Sequence, residues 1–182
     1  SYKENTNIYS IYLHDQLIKG KHNLFSSTRY TDHDDFDAVT TWNLEYGYNI
    51  TSNTKIFVSV GTGFRAPDSN ARFGFGGNPN LREETSRAIE IGVTHGFSQG
   101  IDLSIRAFEN KIDDLIETIL INPGMFIFEN QNVDKARING IELSLKHQTK
   151  QWDISLEGII QNPRNETDDL PLLRRAKRTL TG

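Results

Sequence analysis

The chain has 182 residues, 36% of them hydrophobic, with a net charge of -4 and a mean hydropathy of -0.54. No run reaches the ~18 consecutive apolar residues of a membrane-spanning helix, and the slightly acidic balance offers nucleic acid no basic footprint. The lack of cysteine removes disulfide staples and thiolate metal sites. A membrane β-barrel stays open, because only every second residue of its strands faces lipid.

In chain order, a polar opening leads into alternation at Tyr9, Ile11 and Leu13, then a turn around Lys19-Gly20-Lys21. A strand from Leu24 to Tyr30 ends in the acidic tip Asp32-His33-Asp34-Asp35-Phe36-Asp37. Such a tip is either a solvated hairpin end or a contact for a hard cation such as calcium; its spacing is not that of an EF-hand loop. Trp42, Leu44, Tyr46 and Tyr48 then oppose Asn43, Glu45, Gly47 and Asn49, the clearest half-buried strand pattern in the chain. After a turn at 49–53, Ile56, Val58 and Val60 continue the apolar face.

About twenty residues without helical or strand period separate that strand from the next, a length that is usually functional. Arg65, Asn70, Arg72, Phe73, Phe75 and Asn78 are the residues of this loop suited to contact a ligand, while Arg65 with Glu83 or Glu84 would order it. Gly61-Thr62-Gly63-Phe64-Arg65-Ala66 also fits a dinucleotide fingerprint, but that motif must open a helix, and Pro67 follows at once.

Beyond the loop, Ile89, Ile91 and Val93 oppose Glu90 and Gly92, and a tight turn at 96–100 leads to Ile101, Leu103, Ile105 and Ala107. Parity breaks after Glu109, and Asn122-Pro123-Gly124 reads as the turn of a long two-stranded extension. Alternation resumes at Ile141, Leu143 and Leu145, then at Trp152, Ile154, Leu156, Gly158 and Ile160. Arg174, Arg175, Lys177 and Arg178 gather at the start of a last strand, where in a barrel alternate members would point into the lumen and balance its acidic face, a structural role; outward members would suit lipopolysaccharide phosphates. Short turns near 18, 51, 98 and 149 alternate with longer loops near 35, 74, 123 and 166, as in a meander through a bilayer. The expected fold is all-β, an antiparallel up-and-down transmembrane barrel segment of about nine strands.

No nucleophile elbow, zinc spacing or other catalytic constellation is present, and the five His are scattered. The expectation is a protein that is not an enzyme and carries no metal or cofactor.

Gly63-Phe64-Arg65-Ala66-Pro67, Gly77-Asn78-Pro79-Asn80-Leu81, and Glu84, Ser86, Glu90 and Gly92 together resemble the signature of TonB-dependent outer-membrane receptors. Segments 110–116, 135–142 and 171–177 extend the likeness, and within the family they are most similar to the vitamin B12 receptors. The resemblance implies energy-coupled uptake of a large scarce nutrient across a bacterial outer membrane, with cobalamin as ligand or a ferric siderophore as the alternative. It also implies a barrel of about 22 strands, of which residues 1–182 form a part, and an N-terminal plug, missing here, that the TonB energy-transducing protein grips. Outer-membrane lipid is the other expected partner. A complete small outer-membrane barrel, such as an adhesin, and a soluble β-sheet binding domain are the remaining readings.

Overall fold

The computed structural model describes residues 6–98, 100–172 and 175–182, without the Asp134 side chain. The expectations that fall on residues 1–5, Gln99, Leu173 and Arg174 lie outside these. Among the described residues, ten strands form one antiparallel sheet: β1 (Ile8–Lys19), β2 (His22–His33), β3 (Phe36–Asn49), β4 (Thr54–Arg65), β5 (Glu84–Phe97), β6 (Ile101–Asn122), β7 (Ile127–Gln148), β8 (Asp153–Asn165), β9 (Leu170–Pro171) and β10 (Arg178–Thr181). Strands β1 to β8 each pair with the next in sequence, and β10 and the two-residue β9 both pair with β8.

One end of the sheet carries the tight connections. Gly20 and Gly100 sit there at φ +60 and +73, the left-handed region in which only glycine is free of a Cβ penalty. Ile50 N–H closes onto the Thr54 carbonyl (2.9 Å) and Thr149 N–H onto that of Trp152 (2.8 Å). The opposite end carries residues 66–83, the β6–β7 turn and the segment after β8. The connection near residue 35 departs from the expected long loop. It is a two-residue hairpin, because β2 and β3 run on past a bulge between Thr31 and His33, where the His33 and Phe36 rings meet edge to face at 5.0 Å.

Direct cross-strand partners share a face. One apolar row runs Tyr46, Val58, Ile91, Ala107, Ile141, Ile160, and the next runs Tyr48, Ile56, Val93, Ile105, Leu143, Gly158, Leu180. These side chains stay open to the surroundings, Ile91 at 62% and Ile160 at 65%. Asp15, in register with Ser26 and Leu44, is a polar interruption of this face near the β1 edge.

The other face is polar and internally paired. Lys55 meets Glu45 at 2.8 Å, and Arg106 lies between Glu90 (3.0 Å) and Glu142 (2.7 Å). Phe57 lies over Gly92, where a Cβ would come within 2.5 Å of its ring; the glycine of the receptor-like signature therefore makes room for an aromatic. Burial is concentrated elsewhere, where β6 and β7 leave the regular sheet: Ile112, Leu115, Val133, Ala136 and Ile138 pack with Leu172 and Phe108.

Candidate functional site

The long connection between β4 and β5 is ordered from within and then fastened to the β6–β7 hairpin. Asp68 caps a single helical turn, α1 (Ser69–Phe73), by accepting from Ala71 N–H at 2.7 Å. This turn lies in a stretch that shows no helical period, because one capped turn is too short to display an apolar stripe. Gly76, at φ +66, passes so close to β7 that a Cβ would lie 3.0 Å from the Phe128 carbonyl oxygen.

Two asparagines of β7 hold the loop. Asn130 N–H donates to the Gly76 carbonyl (2.7 Å) and its side-chain amide to the Ala71 carbonyl (3.0 Å). Its side-chain oxygen accepts from the Thr118 hydroxyl at 2.8 Å, and its carbonyl accepts from the Asn78 amide at 3.1 Å. Asn132 accepts from Arg82 N–H (2.9 Å) and donates to the carbonyls of Arg82 (2.9 Å) and Asp114 (2.7 Å). Arg82 also pairs with the Asp114 carboxylate. Glu84, almost fully buried, accepts from Ile116 N–H (2.9 Å) and from Arg65 (3.2 Å).

Most of the loop residues singled out in the sequence therefore have internal partners. Arg65 is tied to Glu84, and Asn78 to Asn130. Arg72 donates to Asp35 at 2.9 Å with its guanidinium over the rings of Phe73 and Phe36, 4.9 and 5.6 Å away. Its Nε is buried without a hydrogen-bond partner among the described residues. The Asn70 carbonyl accepts from Gly74 N–H at 2.9 Å. Phe75 differs: it is 80% exposed, its ring 6.2 Å from that of Phe128.

The sequence reading missed the continuation of this surface. Met125 and Phe126, at the β6–β7 turn, are 73% and 74% exposed, and Phe126 adopts φ 52, uncommon for a bulky residue. Asn122 fixes the turn by accepting from Met125 N–H at 3.1 Å. Asn130 and Asn132 were legible only as residues of low strand propensity inside a strand.

The acidic tip is absorbed into structure as well. Asp35 accepts from Thr6 (3.1 Å) in addition to Arg72, and Asp34 from Asn7 N–H (2.9 Å) and its side-chain amide (3.0 Å). Among the described residues no group of three or more His, Asp or Glu could hold a metal ion.

Comparison with known proteins agrees with this architecture. The family model "TonB dependent receptor-like, beta-barrel" matches residues 1–179. The vitamin B12 transporter BtuB of Vibrio vulnificus is 33% identical over 153 residues, 84% of this chain and 25% of that protein. The vitamin B12 transporter BtuB of Photobacterium profundum is 36% identical over 185 residues, 96% of this chain and 29% of the relative. The chain thus spans little more than a quarter of the length of these relatives. Among solved structures, the copper transporter OprC superposes with a TM-score of 0.75 at 16% identity, covering 92% of this chain and 30% of its own. A mutant ferric enterobactin receptor PfeA of Pseudomonas aeruginosa superposes with a TM-score of 0.74 at 19% identity, covering 96% and 29%. One continuous antiparallel meander, apolar on one face and charged on the other, with the family model matched over nearly its whole length, makes this chain a member of the TonB-dependent receptor β-barrel family.

Proposed function

We propose that this chain forms part of the wall and outer loops of an outer-membrane receptor for a large scarce nutrient, with cobalamin as that nutrient. The apolar rows face lipid, the ion-paired face lines the lumen, and the end carrying residues 66–83 and the β6–β7 turn lies outside the cell. The plug through which the TonB protein would pull, and the strands that close the barrel, belong to other parts of the receptor. The segment itself performs no covalent chemistry.

The observation that carries the choice of cobalamin is the likeness in sequence to vitamin B12 transporters. The two vitamin B12 transporters share 33% and 36% of aligned residues, enough to carry a likeness in sequence, while the siderophore receptors PirA of Pseudomonas aeruginosa and PfeA, at 22% and 19%, report the fold alone. The proposed contact surface comprises Arg65, Asn70, Arg72, Phe73, Phe75 and Asn78. Phe75 supplies the free aromatic face, extended by Met125 and Phe126, and the others hold the loop that presents it.

Equilibrium binding to the complete receptor in detergent tests this reading. Saturable binding of cyanocobalamin is expected, weakened about 5- to 30-fold by Phe75→Ala, the range for losing one well-placed aromatic contact. Binding of a ferric siderophore with no binding of cyanocobalamin would overturn it.

A further inference from the structure

The chain contains no cysteine and a single methionine, so Met125 carries its only sulfur atom. That residue stands in the turn at the far end of the β6–β7 hairpin. Asn122 accepts from Met125 N–H at 3.1 Å, and Phe126 closes the turn at φ 52, which leaves both side chains largely exposed.

The surface around the sulfur is apolar. From Thr118 to Phe128 no residue carries a charge. Ile121, Phe126 and Ile127 are exposed there, and Phe75 reaches the same tip through Phe128, ring to ring at 6.2 Å. A methionine in a core fills irregular gaps. Met125 fills none, since the buried cluster of Ile112, Leu115, Val133, Ala136 and Ile138 lies at the base of the hairpin and not at its tip. A change at this sulfur therefore alters the surface and spares the packing beneath it. A thioether has no proton to lose, so access governs its reaction with oxidants. Here access is nearly complete.

We propose that Met125 is an oxidation site that sets the strength of ligand contact. A small peroxide supplies the oxygen. A sulfur lone pair attacks one peroxide oxygen, the O–O bond breaks, and the hydroxide that leaves takes the proton from the sulfur-bound oxygen to form water. The thioether is oxidised to the sulfoxide, and the peroxide is reduced by two electrons. The product is polar and chiral, where the thioether was apolar and pliant. Pressing its oxygen against an apolar edge of a ligand removes water from it without a replacement partner, which disfavours contact. The inference rests on the ligand surface proposed above and adds a modification site to it.

The test treats the complete receptor in detergent with hydrogen peroxide. Peptide mass spectrometry follows the segment holding Met125, and equilibrium binding of cyanocobalamin is measured before and after. Met125 should gain one oxygen, more slowly when cyanocobalamin is bound. The oxidised receptor should bind at least about fivefold more weakly, the lower bound for burying a polar group without a partner. The two methionine sulfoxide reductases, one for each epimer, with a dithiol as the source of two electrons and two protons, should restore the affinity. Met125→Leu, whatever its own affinity, should keep it through the same treatment. Unchanged affinity once Met125 is oxidised overturns the proposal, as does a loss just as large in Met125→Leu, which would assign it to another part of the receptor. Should that variant fail to assemble, a loss in the wild type that the reductases do not reverse overturns it instead. The two readings separate at the start: an untreated receptor that binds no cyanocobalamin refutes the proposed function and this inference with it, whereas equal binding before and after oxidation refutes this site alone.

Discussion

Glu84 shows how one side chain can join three parts of this molecule. Its carboxylate sits almost out of solvent between the Arg65 guanidinium and the Ile116 amide. Glu84→Ala leaves that amide without its acceptor and the cation with only its looser pair to Asp68 at 3.8 Å, which costs about 1–3 kcal/mol locally. Hydrogen exchange should therefore accelerate at Ile116 and across residues 66–83, and stay unchanged in β1 and β2. Glu117, beside Ile116 on β6, gives a pH-dependent counterpart. Burial pushes its carboxyl above the usual glutamate range, and nearby Arg175 offsets part of that rise. The folded state then holds the proton more tightly than the unfolded one, so the contribution to stability is complete below the ordinary glutamate range. It is lost as pH rises through the elevated folded value. Glu117→Gln should slow exchange in the outer half of the hairpin at about pH 7 and change little at about pH 4. At this scale the sequence was partly legible. It pointed to Arg65 with Glu83 or Glu84, and choosing between adjacent acids required the strand register, which places Arg65 opposite Glu84.

The β6–β7 hairpin is the element on which the outer end depends. Its strands are 22 residues each, about twice what a bilayer crossing requires. The excess length is held by the Ile112–Leu172 cluster at its base and by the asparagines that fasten the loop. Asn130→Ala removes two side-chain hydrogen bonds, one to the loop and one to Thr118. It should open residues 66–83 to limited proteolysis while leaving the heat-modifiable migration of the barrel intact; a loop that stays protected would show that the glycine turns alone order it. The extension was visible in the sequence as the point where alternation fails after Glu109. The fastening was not, because hydrogen bonds between residues more than fifty apart leave no periodic trace.

For the molecule as a whole, the division into two faces dictates what each position tolerates. Leu143→Arg puts a charge in the apolar row Ile56, Val93, Ile105, Leu143, Leu180 and should cost about 2–4 kcal/mol at mid-membrane. Ser144→Arg, on the polar face beside Glu157, should cost far less. Urea unfolding of the complete receptor in vesicles separates the two, and equal losses would mean that the apolar rows do not face lipid. Alternation alone was enough to read this division, since a period of two assigns every residue of a regular strand to a face. The reading was weaker for the connections: the strict succession of short and long loops fails at Asp34 and Asp35, where β2 and β3 simply continue to a tight end.

The order of pairing has a kinetic meaning. From β1 to β8 each strand finds its partner in the strand just made, so no segment must wait for a remote one or reach across others already in place. Contacts so close in sequence cost little loop-closure entropy. The sheet can therefore grow hairpin by hairpin from a single seed, each completed edge templating the next. Slowing one internal turn, for instance by replacing Gly100 at its left-handed position, should then delay every strand that follows it and none that precedes it.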